Sequence, residues 1–342
     1  MPVVRHPRGR LPAGEDGEHP PYLGIADTTE LDHPAQLSEN DFSCEPHRKR
    51  PDMADLKPYL LLLRPHQWMK NGFIFLPLFF GSRLMDTHIL VHTAVAFVAF
   101  CATASAVYIF NDYFDREDDR KHPRNRTRPL ASGVIHPKNA LILMSALAIA
   151  GTGTYYILNL LPLLVSYIVL NVLYTLRLKH VPILDVVLIS FGFVIRIFIG
   201  SEVSQVPLSE WIVIMTFLLA MFLALSKRRN DLLIYLETGE KTRKSVDGYN
   251  TEFLNSSMVI MSSVVIVAYI LYTVSPDVQA KMHTNKLYLT SFFVVLGILR
   301  YMQITIVEND TGGPTTILLQ DRFLQLVLLG WLALFSWILY FK

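Results

Sequence analysis

The chain has 342 residues, of which 51% are hydrophobic and 18% charged, and its formal net charge is +2. That balance excludes an intrinsically disordered chain and a basic nucleic-acid-binding protein, and a mean hydropathy of +0.34 points instead to a membrane protein. The two cysteines, Cys44 and Cys101, lie far apart and suggest neither a disulfide framework nor a cysteine zinc site.

Residues 1–55 are rich in Pro, Gly, His and charge and poor in large apolar side chains, so they cannot bury enough surface to offset their ordering entropy. They also lack the apolar core of a signal peptide. We read them as a disordered cytoplasmic tail ahead of one membrane domain at 56–342. A spanning helix needs about 20 largely apolar residues, and nine such stretches follow, roughly at 59–80, 88–110, 138–158, 160–177, 182–200, 208–226, 254–274, 286–307 and 322–341. The expected fold is therefore all-α and polytopic, with nine transmembrane helices.

The first span opens Leu63-Arg64-Pro65-His66-Gln67-Trp68-Met69-Lys70-Asn71. Interfacial anchoring explains Trp68 and the cations beside it, and a site role for Lys70 is the alternative. The second span ends Asn111-Asp112-Tyr113-Phe114-Asp115-Arg116-Glu117-Asp118-Asp119. Asp112, Asp115 and Asp119 fall at i, i+3 and i+7, which predicts one helix face bearing three like charges that need a cation. Mg²⁺ suits them, since it is held by one or two carboxylates together with substrate phosphates. A solvated helix end would rarely stack three acids in this way. The loop beyond supplies Arg120, His122, Arg126 and Arg128, and a mixture of acids and cations is what a Mg²⁺-diphosphate would fill.

Further along stand Tyr174, Lys179 and Asp185, then Arg196 deep in the fifth span, which we expect to pair with Glu202 or another outer residue. The sixth span exits through Lys227-Arg228-Arg229, which suits either a dianionic phosphate or membrane topology alone. The last short loop ends in Asp321-Arg322. Lys and Arg crowd the loops after the second, fourth and sixth spans, including Arg124, Lys138, Arg177, Lys241, Arg243 and Lys244. The positive-inside rule therefore places these loops and the N-terminus in the cytoplasm and Lys342 outside, with the acids facing the cytosol.

The pattern Asn111-Asp112-x-x-Asp115-x-x-x-Asp119 at the end of a second span resembles the UbiA superfamily of intramembrane prenyltransferases. Ordinary members have a second aspartate-rich motif after the sixth span. Here Lys227-Arg228-Arg229 stands instead, with only Asp231 nearby. The chain is more similar to the decaprenyl-phosphate phosphoribosyltransferase branch, in Arg64-Pro65-x-Gln67-Trp68-x-Lys70-Asn71, Arg120-x-His122-Pro123, Tyr174-x-x-x-Leu178-Lys179-His180, Lys227-Arg228 and Asp321-Arg322.

The resemblance implies helices around a central cytosol-facing cavity in the plasma (inner) membrane. It also implies a Mg²⁺-dependent transfer of 5-phosphoribosyl from 5-phosphoribosyl 1-diphosphate to a polyprenyl phosphate, a step in making arabinose-containing envelope precursors. In that reading Asp112, Asp115 and Asp119 bind Mg²⁺, supported by Asn111. Arg120, Arg126 and Lys179 grip the diphosphate, and Tyr174 lines the substrate site. Lys227, Arg228 and Arg229 take the 5-phosphate, and Lys70 orients the lipid phosphate or the donor. An aromatic prenyltransferase, a lipid or metabolite transporter and a structural membrane subunit are the rivals. The absent second acidic motif argues against the first, charges gathered at one face against the second, and the aspartates against the third. The sequence leaves polyprenyl length and oligomeric state, a homo-oligomer included, open.

Overall fold

The computed structural model describes residues 56–121, 125–239, 244–309 and 312–340. The tail at 1–55, His122 and Pro123, and the cations Arg124, Lys241, Arg243 and Lys342 lie outside the described residues.

Among the described residues every regular element is helical. The long helices are α3 (Thr87–Phe114), α5 (Pro137–Ile157), α6 (Leu161–Leu176), α7 (Leu184–Ser204), α8 (Glu210–Thr238), α9 (Thr251–Val274), α11 (Ser291–Met302) and α13 (Arg322–Tyr340). Shorter pieces are α1 (Leu56–Leu63), α2 (Leu76–Phe80), α4 (Arg116–Lys121), α10 (Pro276–Met282) and α12 (Pro314–Gln320). Seven segments are long and apolar enough to cross a membrane, counting Leu287–Val307 as one, and Leu161–Leu176 is a shorter apolar helix. The chain is a multi-pass membrane protein.

The first expected span, 59–80, is not one helix. It divides into α1, a 3-10 segment at Pro65–Phe75, and α2. The cause is Pro65, which removes an amide donor and bars the helical conformation to the residue before it. Arg64 accordingly turns left-handed, with φ 54° and ψ 57°. The 3-10 segment nests against α7, where a Cβ on Gly200 would sit 2.1 Å from the Ile74 carbonyl oxygen. Only glycine allows that approach.

Helices in lipid are joined by packing and by polar contacts more than by burial from water. One apolar cluster, including Phe100, Tyr155, Tyr167 and Ile199, ties α3, α5, α6 and α7 together. A second, including Phe222, Leu254, Ile298 and Leu324, ties α8, α9, α11 and α13. Hydroxyls tie helices elsewhere: Tyr155 donates to the Ala96 carbonyl at 3.1 Å, and Trp331 Nε1 donates to Tyr269 Oη at 2.7 Å.

Candidate active site

The C-terminal end of α3, the N-terminal ends of α7, α9 and α13 and the turns between them form one polar end of the bundle. A helix C-terminus carries partial negative charge, so Asp112 and Asp115 are badly placed there unless cations compensate them. They are compensated. Asp112 is 3% exposed, and its Oδ1 accepts from Arg64 Nη2 at 2.5 Å and Arg128 Nη1 at 3.3 Å. The same Arg128 Nη1 donates to Asp119 Oδ2 at 2.7 Å, and Asn125 donates to Asp119 Oδ1 at 2.8 Å. Lys179 pairs with Asp115, and Asn111 accepts from Thr175 of α6.

The three acids do not share one unbroken helix. Helix α3 stops at Phe114, Asp115 caps it with φ −85° and ψ 0°, and Asp119 lies on α4. Arg128 reunites Asp112 with Asp119. No group of three or more His, Cys, Asp or Glu side chains forms a metal cage among the described residues. The acids suit a divalent ion in another way: one or two carboxylates suffice when substrate phosphates complete the shell. The guanidinium such an ion displaces is itself a phosphate ligand.

Two of the three cations expected to hold a phosphate at the end of α8 are buried in contacts with other helices. Arg228 is fully buried, its Nε 2.8 Å from Asp185 Oδ2 and its Nη1 bonded to Asp231. Arg229 is buried too, donating to Asn255 Oδ1 at 2.7 Å, the Thr305 carbonyl at 2.6 Å and Asn309 Oδ1 at 3.0 Å. The Thr305 carbonyl belongs to a π-helical turn, Gln303–Val307, that ends α11. In these contacts both guanidinium groups hold helices together. Lys227 is exposed.

Asp185 also accepts from Tyr249 Oη at 2.7 Å and Ser245 Oγ at 3.2 Å. Tyr249 Oη in turn accepts from the amide of Ile183 at 2.6 Å. Ile183 stands at φ 69° and ψ −49°, a conformation a β-branched residue resists. This loop carries Lys179, so the buried Arg228–Asp185–Tyr249 chain fixes the cation that pairs with Asp115.

Other expected site residues are dispersed. Arg120 turns outward, donating to Glu117 at 3.1 Å and the Ala131 carbonyl at 3.1 Å. The neighbouring Arg116 hydrogen bond holds the Glu117 carboxyl below its ordinary range. Arg126 is exposed on the turn Asn125–Thr127, and Tyr174 is half-buried on α6. Lys70 Nζ donates to Gln67 at 2.6 Å. Arg196 does not pair with Glu202, which is exposed; it donates to Asn71 Oδ1 at 2.9 Å and the Gly192 carbonyl at 2.6 Å. Asp321 caps α13 by accepting from the Leu324 amide at 2.7 Å and holds Arg300 of α11 at 2.6 Å.

The model of the UbiA prenyltransferase family matches residues 74–313. The chain belongs to the UbiA prenyltransferase family. This UbiA protein is 33% identical over 292 residues to a decaprenyl-phosphate phosphoribosyltransferase of Mycolicibacterium smegmatis, covering 82% of the chain and 92% of that relative. It is 31% identical over 309 residues to one of Corynebacterium glutamicum, covering 86% and 92%. Its fold is similar to that of a UbiA homologue from Archaeoglobus fulgidus bound to DMAPP and Mg²⁺, with TM-score 0.62, 19% identity, and coverage of 82% of this chain and 99% of that one.

Proposed function

We propose that this UbiA-family protein is a polyprenyl-phosphate phosphoribosyltransferase. The lipid phosphate oxygen attacks ribose C1 of 5-phosphoribosyl 1-diphosphate. The C1–O bond breaks, its electron pair leaves on diphosphate, and C1 inverts. The observation that carries this reading is the similarity of 31–33% to decaprenyl-phosphate phosphoribosyltransferases over 82–86% of the chain.

Asp112, Asp115 and Asp119 would hold Mg²⁺, which supplies charge neutralisation for the departing diphosphate. Arg64, Arg128 and Lys179 surround these acids and are the cations to grip the diphosphate. Asn111, braced by Thr175, keeps the end of α3 in place. The exposed Arg126 and Lys227 are the candidates for the 5-phosphate, in place of Arg228 and Arg229. A phosphate monoester is already ionised near neutral pH, so no strong general base is required. The site faces the cytoplasm in this reading, as the cation-rich loops direct.

The test is transfer of label from 5-phosphoribosyl 1-diphosphate into lipid by purified protein given polyprenyl phosphate, with and without Mg²⁺. Mg²⁺-dependent transfer is expected. No transfer, with activity instead on a polyprenyl diphosphate and an aromatic acceptor, returns the protein to the ordinary prenyltransferases.

A further inference from the structure

Two cations near the site, the buried Arg196 and the half-buried Lys70, have no acid. Arg196 lies twelve residues beyond Leu184 at the start of α7, so about 18 Å along the helix at a rise of about 1.5 Å per residue. It is 5% exposed. Its partners are all neutral: Asn71 Oδ1, the Gly192 carbonyl and Tyr167 Oη, with the rings of Phe100, Tyr167 and Phe193 at 4.9, 5.0 and 5.3 Å. Lys70 adjoins Asn71, and its ammonium bonds only Gln67. Among the described residues neither cation has a carboxylate within ion-pair distance, and the Arg196 and Arg64 charges both bear on Lys70.

This arrangement is costly without an anion. Aromatic faces and amides stabilise a guanidinium in part, yet they do not neutralise it, and the second positive charge on half-buried Lys70 adds repulsion. Ionisable groups at membrane depth mark substrate paths. Contacts between the first segment and α3 give the direction of this one: Arg64 meets Asp112, Trp68 meets Ser105 at 3.1 Å, and Asn71 meets Cys101 at 3.2 Å. The cations thus run from the acid cluster down into the bilayer, whereas a soluble sugar phosphate arrives from water.

We infer that Lys70 and Arg196, linked through Asn71, seat the phosphate monoester of the acceptor lipid on the membrane side of the acid cluster. This rests on the function proposed above. Lys70 contacts the phosphate, Arg196 supplies the deeper charge, and the isoprenoid tail continues into lipid.

The test uses the full chain in detergent and measures binding of radiolabelled farnesyl phosphate. Competitors are farnesol, inorganic phosphate and 5-phosphoribosyl 1-diphosphate with Mg²⁺. The wild type is expected to prefer farnesyl phosphate to farnesol and to inorganic phosphate. Lys70→Met and Arg196→Met each weaken farnesyl phosphate binding by about tenfold or more, the scale of a lost charge-assisted bond. Affinities for farnesol and for the sugar donor stay unchanged, and Arg196→Lys restores most of the loss. If Arg196→Met does not fold, Lys70→Met and Arg196→Lys carry the comparison.

Equal losses for the phosphate and the alcohol would make these residues packing elements and overturn the inference. So would loss of donor binding alone, or displacement by inorganic phosphate as readily as by farnesyl phosphate. Normal discrimination in both Met variants overturns this subsite and leaves the transferase reading standing. A wild type indifferent to the lipid phosphate overturns both.

Discussion

At the residue scale, Asp112 and Asp119 share one guanidinium, Arg128, and this makes the cluster a charge exchange rather than a row of free acids. Removing an acid should cost far more activity than stability. Asp112→Asn and Asp115→Ala are expected to lower kcat by about a thousandfold, the scale of a lost electrostatic stabiliser, with melting temperatures near wild type. Activity retained with an unchanged metal requirement would remove the acids from the metal site. Arg128→Ala should raise the KM for the sugar donor more than Arg120→Ala does, because Arg120 is engaged with Glu117 outside the cluster.

That the acids gather was legible in the sequence, because three aspartates follow an apolar run at near-helical spacing, although Asp119 lies on α4 and not on α3. Their partners were not legible: Arg64 reaches Asp112 across 48 residues, and pairing at that distance leaves no local trace. Nor was the burial of Arg228 and Arg229 legible, for a related reason. A run of cations at a helix end reads alike whether it meets a phosphate or a buried Asp185.

At the element scale, the ion pairs act as fasteners between helices. Arg228→Met leaves Asp185 buried and uncompensated, a loss of about 3–5 kcal/mol. Unfolding followed in detergent should show it, and Lys227→Met, at an exposed position, should leave the midpoint in place.

The clasp of Asp321 on Arg300 has a pH signature. The Arg300 hydrogen bond holds the Asp321 carboxyl below the usual carboxylate range. A lowered native value means that the stabilisation is complete above the unfolded carboxylate pKa of about 3.9 and is lost as pH falls through the native value. Asp321→Asn should therefore melt below wild type at pH 7, with the gap closing in acid; a gap independent of pH would assign the effect to the helix cap.

Helices α3, α5, α7, α8, α9 and α13 followed the apolar runs of the sequence, because length and composition suffice for a membrane span, whereas α6 is shorter than a span and the described residues hold seven candidates, not nine. The first span did not. Its composition is apolar enough, but Arg64-Pro65 breaks the backbone, and an apolar average does not register one proline.

For the whole molecule, successive antiparallel helices bring the acid cluster, the Lys179 loop and the end of α8 to one end of the bundle, although they are far apart in sequence. We propose that this end faces the cytoplasm, because Lys and Arg accumulate in cytoplasmic loops. Cys101 is buried, so a cysteine introduced at the exposed Arg126 gives a clean probe once Cys44 is replaced. An impermeant maleimide should label it in inside-out vesicles and not in right-side-out ones. The opposite pattern would invert the topology.

The left-handed Ile183 has an engineering consequence. A β-branched residue held at positive φ stores about 1–3 kcal/mol, while glycine there would lose only about 0.5–1 kcal/mol in chain entropy. Ile183→Gly should thus give a hardier protein, with a melting point a few degrees higher in detergent. The same change slackens the arm that carries Lys179, so the gain in shelf life should come with slower turnover. Higher stability together with slower turnover would show that rigidity at this loop serves the reaction and not the fold.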